Sequence, residues 1–243
     1  MLDAVEHLRG LEYPGRFIIL GRASNGDNVA VYGITGRSES SKSRKLIQKV
    51  DDVIVQPIDA SLINDGNSDL LIYTAMSFTG DRLFVANGNQ MRDLKRKRNH
   101  DLLANLGDAH LKWDYEPDQP NYTSRISGVV GKDQSAIGII KRDRNEDSVK
   151  NYFASNLFSG VGRFISTYLG ANQNPVPSFV GEPVDVSIRE ISAKRIARTA
   201  YDALAKEDAD KDFRVSVVTA TFNPVNFNMR SSVNYAIINR FEE

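Results

Sequence analysis

The feature that most restricts the fold is a succession of short β-rich runs broken by turn residues. Arg16 to Leu20 (RFIIL) and Asn28 to Ile34 (NVAVYGI) flank Ser24-Asn25-Gly26-Asp27, and Asn-Gly is a strong hairpin signal because both residues tolerate positive φ. Val50 to Ile58, Leu70 to Ala75 and Arg82 to Ala86 continue the pattern, with turns at Gly80-Asp81 and Asn87-Gly88. Arg125 to Val130, Ser135 to Lys141, Gly162 to Tyr168, Arg214 to Phe222 and Ser232 to Ile238 are further strand candidates, and Asp143 to Ser148 reads as a polar loop or a short helix start. Helical signals are fewer. Asn99 to Trp113 is weakened by Gly107 and ended by Pro117 and Pro120. Ser192 to Lys206 is the clearest helix, because Ile196, Ala200, Ala203 and Leu204 share one face. Strands following strands favour antiparallel sheets with helices layered outside, an α+β chain and not a βαβ winding. No linker interrupts residues 1–243, so one domain is expected. Gly15-Arg-Phe-Ile and Gly162-Arg-Phe-Ile echo each other, too briefly to define a repeat.

Composition narrows the chemistry. The 243 residues carry 41% hydrophobic and 26% charged side chains, enough for a sizeable core and against disorder. There is no cysteine, which removes thiol nucleophiles, disulfides and thiolate-bound metals. The opening MLDAVEHLRGLEYPGRF mixes acids and bases without an apolar stretch, and no run of about 18 apolar residues occurs, so a cytoplasmic chain with no membrane partner is expected. With 31 basic and 31 acidic side chains, nothing draws the chain as a whole to nucleic acid or anionic lipid. The one basic block, Arg92 to Arg98, has no aromatic and reads as a solvated helix face or a basic lip beside an anionic ligand. Zero net charge permits a homo-oligomer without demanding one.

Walker loops, dinucleotide fingerprints and nucleophile elbows are missing. His7, His100 and His110 lack metal-ligand spacing and read as ordinary surface or helix residues; no metal and no cofactor is expected. Met1 and Leu2 supply no N-terminal Thr, Ser or Cys nucleophile. What remains is a polar constellation at strand and helix ends. Gly36 to Arg44 (GRSESSKSR) combines guanidinium forks, hydroxyls and a lysine, which suits the oxygens of a phosphorylated small molecule; a plain polar connection is the alternative. Tyr73 interrupts an apolar strand, either as a site residue or as a core tyrosine. Asp114-Tyr115-Glu116 suits proton transfer or gripping a ring nitrogen, and otherwise is a helix end; Asn87-Gly88-Asn89 is otherwise a turn.

Together these stretches resemble the archaeal-type IMP cyclohydrolase family. The resemblance runs in order through Tyr13 to Arg22, Val29 to Tyr32, Gly36 to Arg44, Tyr73, Val85 to Gly88, Asp114 to Glu116, Thr123 to Ile126, Ala136 to Ile140 and Ile165 to Tyr168. It implies dehydrative closure of 5-formamidoimidazole-4-carboxamide ribotide to IMP, with a purine ribonucleotide as ligand. It also implies a four-layer αββα sandwich of antiparallel sheets, similar to N-terminal nucleophile hydrolases but without that nucleophile. Carried across, Arg44, Tyr73 and Glu116 become catalytic, and Arg37, Ser38, Lys42, Asn87, Asp114, Tyr115, Arg125 and Tyr168 become substrate-binding. The loop from Arg37 to Arg44 is longer than in compact archaeal members, which leaves Lys42 as the alternative aligned cation. The first dozen residues and Arg142 to Gly162 look like additions, in keeping with a bacterial-type member. A non-catalytic nucleotide-binding module and an amidohydrolase acting on another phosphorylated amide are the competing functions.

Overall fold

The computed structural model describes residues 1–59, 61, 71–96, 101–225 and 233–242. The expectations for Leu70, Lys97, Arg98, Asn99, His100 and Ser232 fall outside these residues. Among the described residues the strands form two seven-stranded sheets. The first contains β1 (Leu2–Asp3), β2 (Arg16–Arg22), β3 (Asn28–Thr35), β11 (Val161–Ser166), β12 (Val184–Ser187), β13 (Arg214–Phe222) and β14 (Val233–Asn239), in the order β1-β12-β11-β2-β3-β13-β14. The second contains β4 (Arg44–Lys49), β5 (Asp52–Pro57), β6 (Tyr73–Thr79), β7 (Arg82–Ala86), β8 (Arg125–Val130), β9 (Gln134–Arg142) and β10 (Ser148–Asn156), in the order β10-β9-β8-β7-β6-β5-β4. Every ladder between them is antiparallel except β1 with β12. The chain is therefore α+β with two mostly antiparallel sheets, as strand-after-strand patterning predicts.

Side-chain alternation shows which face of each sheet looks inward. Leu20 of β2 packs on Gly128 of β8, where an added Cβ would lie 2.7 Å from Leu20 Cδ1. Residues two apart in a strand share a face, so Arg16 and Ile18 look the same way as Leu20. In the β2–β3 ladder Ile18 sits opposite Tyr32 and Arg16 opposite Ile34, which puts Tyr32 on that inward face too. On β7 and β8 the alternation splits the core in two. Val85, Ile126 and Val130 join the inter-sheet cluster, whereas Phe84, Ala86 and Val129 join Met91, Leu94, Leu106 and Ala109 of α3 (Met91–Arg96) and α4 (Leu102–His110). Against the first sheet pack α1 (Ala4–Gly10) and α5 (Ala193–Ala203), the latter chiefly on β13 and β14. Among the described residues no helix is long and apolar enough to cross a membrane.

Several elements differ from the sequence reading, and edges account for most of them. Gly36 to Arg44 is not a loop throughout: it contains α2 (Glu39–Lys42), and Arg44 opens β4. The run from Val50 to Ile58 starts with a turn, Val50 taking φ 53, and β5 begins at Asp52. β4 and β10 are edge strands with many half-exposed positions, so they lack the apolar alternation that marks a strand. In the β2–β3 turn only Gly26 takes positive φ; Asn25 does not. The echoed Gly-Arg-Phe-Ile segments are neighbours, β11 pairing antiparallel with β2.

His110 is not a surface residue. It is fully buried at the end of α4, its Nε2 2.9 Å from Ser127 Oγ and its ring stacked on Tyr152. Burial, followed by the cations Lys150 and Arg125, lowers its pKa from 6.5 to about 3. The folded state thus keeps a neutral imidazole while the unfolded chain binds a proton below pH 6.5. Stability should fall as pH drops from 6.5 towards 3, with this group contributing up to about 1.4 kcal/mol per pH unit. Denaturant titrations across that range should show a shallower slope in His110→Gln; an unchanged slope would exclude His110 as the source.

Candidate active site

At one end of the space between the sheets, polar side chains gather round Glu116. Gly15 directs the chain into β2: its φ is +72°, and a Cβ there would stand 2.3 Å from Thr167 Oγ1. The Arg16 N–H donates to that same Thr167 oxygen (3.1 Å), and its side chain enters the inter-sheet face. Glu116 lies in the connection before β8 and is held through its N–H to Thr123 O (2.8 Å). Its carboxylate is engaged on both oxygens. Arg16 Nη2 donates to Oε2 at 2.5 Å; Asn87 Nδ2 donates to Oε1 at 3.3 Å, and Arg125 Nη1 stands 3.7 Å from that oxygen.

Asn87 is itself locked. It donates to Ser124 O (3.0 Å), and its Oδ1 accepts from the Ile126 N–H (2.8 Å) and Gln90 Nε2 (2.9 Å). Gly88 leaves room for this arrangement, since a Cβ there would lie 2.7 Å from Arg125 Nη1 and 2.9 Å from Gln90 Oε1. Arg125 Nε donates to Asp114 O at 2.8 Å, and the guanidinium lies 5.0 Å over the Trp113 ring.

Three phenols complete the interior. Tyr32 and Tyr73 hydroxyls are 2.6 Å apart, and Tyr168 Oη meets Thr123 Oγ1 at 2.5 Å. Burial disfavours charge on Arg16, but Glu116 overrides it, so the guanidinium is held charged with its pKa well above the usual value. Burial pushes Tyr168 up to about 12 against the pull of Arg16. Burial and then Tyr73 raise Tyr32 well above a normal phenol, although Arg16 and Arg44 oppose this. Tyr32 and Tyr168 are therefore neutral hydroxyls at physiological pH. Arg44 is buried beside Tyr32, with its Nε donating to Ser41 O at 2.9 Å. Among the described residues, Arg16 Nε and Ser124 Oγ are two of eight buried side-chain polar atoms without a hydrogen-bond partner.

The remaining residues singled out in the sequence sit further out. Arg37 lies 5.0 Å over Tyr13 and donates to Gln173 O at 2.7 Å; Lys42 lies 5.6 Å over Phe213. Tyr13 stacks on Tyr168 (5.5 Å) and meets Phe213 edge-on (5.4 Å), so these cations form a rim one aromatic layer above the interior. Ser38 caps α2 by accepting from the Ser41 N–H. Asp114 is exposed and contributes its carbonyl, while Tyr115 donates to Glu146 O at 3.0 Å, away from Glu116. Arg44, Tyr73, Glu116, Asn87, Arg125 and Tyr168 thus come together; Ser38, Asp114 and Tyr115 do not join them. Arg16, Tyr32 and Thr123, which carry no site expectation from the sequence, contact Glu116, Tyr73 and Tyr168 respectively. The available signal was an arginine following glycine at a strand start.

Among the described residues no group of three His, Asp or Glu side chains converges as a metal ion would require. A separate apolar hollow of about 250 Å³ lies between α1, β12 and α5. Its charged rim is already paired, Asp3 with Arg189 and Glu190 with Arg195, so convergent polar groups are found only round Glu116 of these two places.

A buried carboxylate held by cationic and amide donors and ringed by phenols, with further cations one aromatic layer out, suits proton-transfer chemistry on an anionic polar molecule. Residues 13–223 match the family described as IMP cyclohydrolase-like protein, and the chain belongs to it. It is similar to an IMP cyclohydrolase of Methanococcus maripaludis, 27% identical over 162 residues, which is 66% of this chain and 76% of the relative. An IMP cyclohydrolase of Methanocaldococcus jannaschii is 23% identical over 71% of this chain and 82% of its own length. One of Methanopyrus kandleri is 31% identical over 52% and 62% respectively.

Proposed function

We propose that this chain is an IMP cyclohydrolase, closing 5-formamidoimidazole-4-carboxamide ribotide to IMP with loss of water. The carrying observation is the Glu116 carboxylate, fixed on both oxygens by Arg16, Asn87 and Arg125 beside the Tyr32–Tyr73 pair, within a chain matched by this family over residues 13–223. In the reaction the carboxamide nitrogen adds to the formyl carbon and the formyl oxygen takes up the electron pair. Water then leaves with that oxygen, one proton from the carboxamide nitrogen and one from the formamido nitrogen. Both partners are in one molecule, so the protein gains rate by folding the substrate and stabilising the developing oxyanion.

The residues divide by depth. Tyr73 donates to the developing oxyanion, and the buried cations Arg16 and Arg44 stabilise the charge around it. Glu116 accepts from the carboxamide N–H and orients it for attack. At the rim, Arg37 and Lys42 meet the 5′-phosphate, with Tyr168 and Thr123 facing the ribose. Two antiparallel sheets with helices against each support the likeness to N-terminal nucleophile hydrolases. We read residues 1–243 as one domain.

The test is to add the formamido ribotide and follow IMP by ultraviolet absorbance. Closure well above the uncatalysed rate is expected. Closure at the uncatalysed rate would overturn the enzyme, and IMP binding without turnover would favour the nucleotide-binding module.

A further inference from the structure

Tyr32 has no assigned role in the reaction, yet its hydroxyl makes one contact in the site, 2.6 Å from Tyr73 Oη. Among the described residues no other hydrogen bond is made by either hydroxyl. When two hydroxyls share one hydrogen bond, the donor's proton is used within the pair and the acceptor's proton points elsewhere. The direction of the bond therefore decides which tyrosine offers a proton to a ligand.

Both rings are buried, Tyr32 at 0% and Tyr73 at 3% exposure, so each hydroxyl depends on the other for its hydrogen bond. The 2.6 Å separation serves either direction, and a ring closure that draws on the Tyr73 proton requires Tyr32 to be the donor and Tyr73 the acceptor. A hydroxyl that accepts a hydrogen bond becomes a better donor through polarisation.

We propose that Tyr32 is a positioning residue for ring closure: it donates to Tyr73 Oη and so aims the Tyr73 proton at the formyl oxygen as that oxygen becomes negative. The assignment rests on the cyclohydrolase reading above. Tyr32 itself neither gains nor loses a proton in the cycle.

Tyr32→Phe keeps the ring and its packing. We expect kcat to fall about tenfold to a hundredfold with KM changed by less than about threefold, because the lost interaction acts on the transition state. In the Tyr73→Phe background, adding Tyr32→Phe should cost nothing further, since the proton being aimed is gone. A role in packing alone would lower the melting temperature and leave kcat and this non-additivity unmoved. Calorimetric binding of IMP to Tyr32→Phe, equal to wild type, would show that the site is folded. A rapid wild type with an indifferent Tyr32→Phe, or losses that simply add, would overturn the Tyr32 assignment alone. A wild type that does not accelerate closure would overturn the cyclohydrolase reading beneath it.

Discussion

Glu116→Gln should lower kcat by about a hundredfold or more and destabilise the fold at the same time. Its carboxylate takes a 2.5 Å bond from Arg16 and lies 3.7 Å from Arg125, with only 3% of the side chain exposed. Neutralising it leaves the buried Arg16 guanidinium uncompensated, which costs about 3–5 kcal/mol when one partner of such a pair is removed. Arg16→Met removes the other partner and should also be inactive. The double variant should recover stability relative to the sum of the singles, because the uncompensated charge is then absent. Thermal melts and steady-state kinetics on the four proteins test this. Additive stability losses would mean that the two groups are not energetically coupled, and near-wild-type turnover in Glu116→Gln would remove Glu116 from the chemistry.

Tyr73→Phe should separate binding from catalysis. The ring stays packed at the start of β6, so the IMP affinity should change little, while loss of the Tyr32 hydroxyl's partner should cost the fold about 1–3 kcal/mol. What is lost is one hydrogen-bond donor to the developing oxyanion, and removal of such a donor typically costs about 10²–10³ in kcat. A KM close to wild type with that fall in kcat is the signature of an interaction made only in the transition state. The opposite pattern, a raised KM at unchanged kcat, would make Tyr73 a binding residue and leave the oxyanion to Arg16 and Arg44.

The sequence carried the strand content well where strands are central. The reading of Arg214 to Phe222 coincides with β13, and Arg125 to Val130 with β8, because β8 is buried throughout and β13 at every position after Arg214. It failed at the edges. β4 opens with Arg44 and Lys45, and β10 is half-exposed, so neither presents the alternation that marks a strand. The same limit applied to His110, whose burial depends on Ser127, Tyr152 and Lys150 being brought to it by other elements.

The candidate site is legible in part: family order points to Arg44, Tyr73 and Glu116, and the structure gathers them with Asn87, Arg125 and Tyr168. Arg37 and Lys42 could not be told apart from Arg44 in the segment Gly36 to Arg44, since composition carries no depth. The turn of α2 and the opening of β4 separate them, burying Arg44 at 3% exposure and leaving Arg37 and Lys42 above the Tyr13 and Phe213 rings. Arg16 and Tyr32 were hidden for a different reason.

By itself the amino-acid order determined the alternation of strands and turns, the absence of thiol chemistry, and a recognisable family series. Only the tertiary structure decided that Arg16 and Tyr32 face Glu116 and Tyr73. They lie 100 and 41 residues apart in the chain and meet only because β2 and β3 of one sheet lie against β6 to β8 of the other. Local periodicity tells which side of a strand a residue occupies, but not which sheet will cover that side.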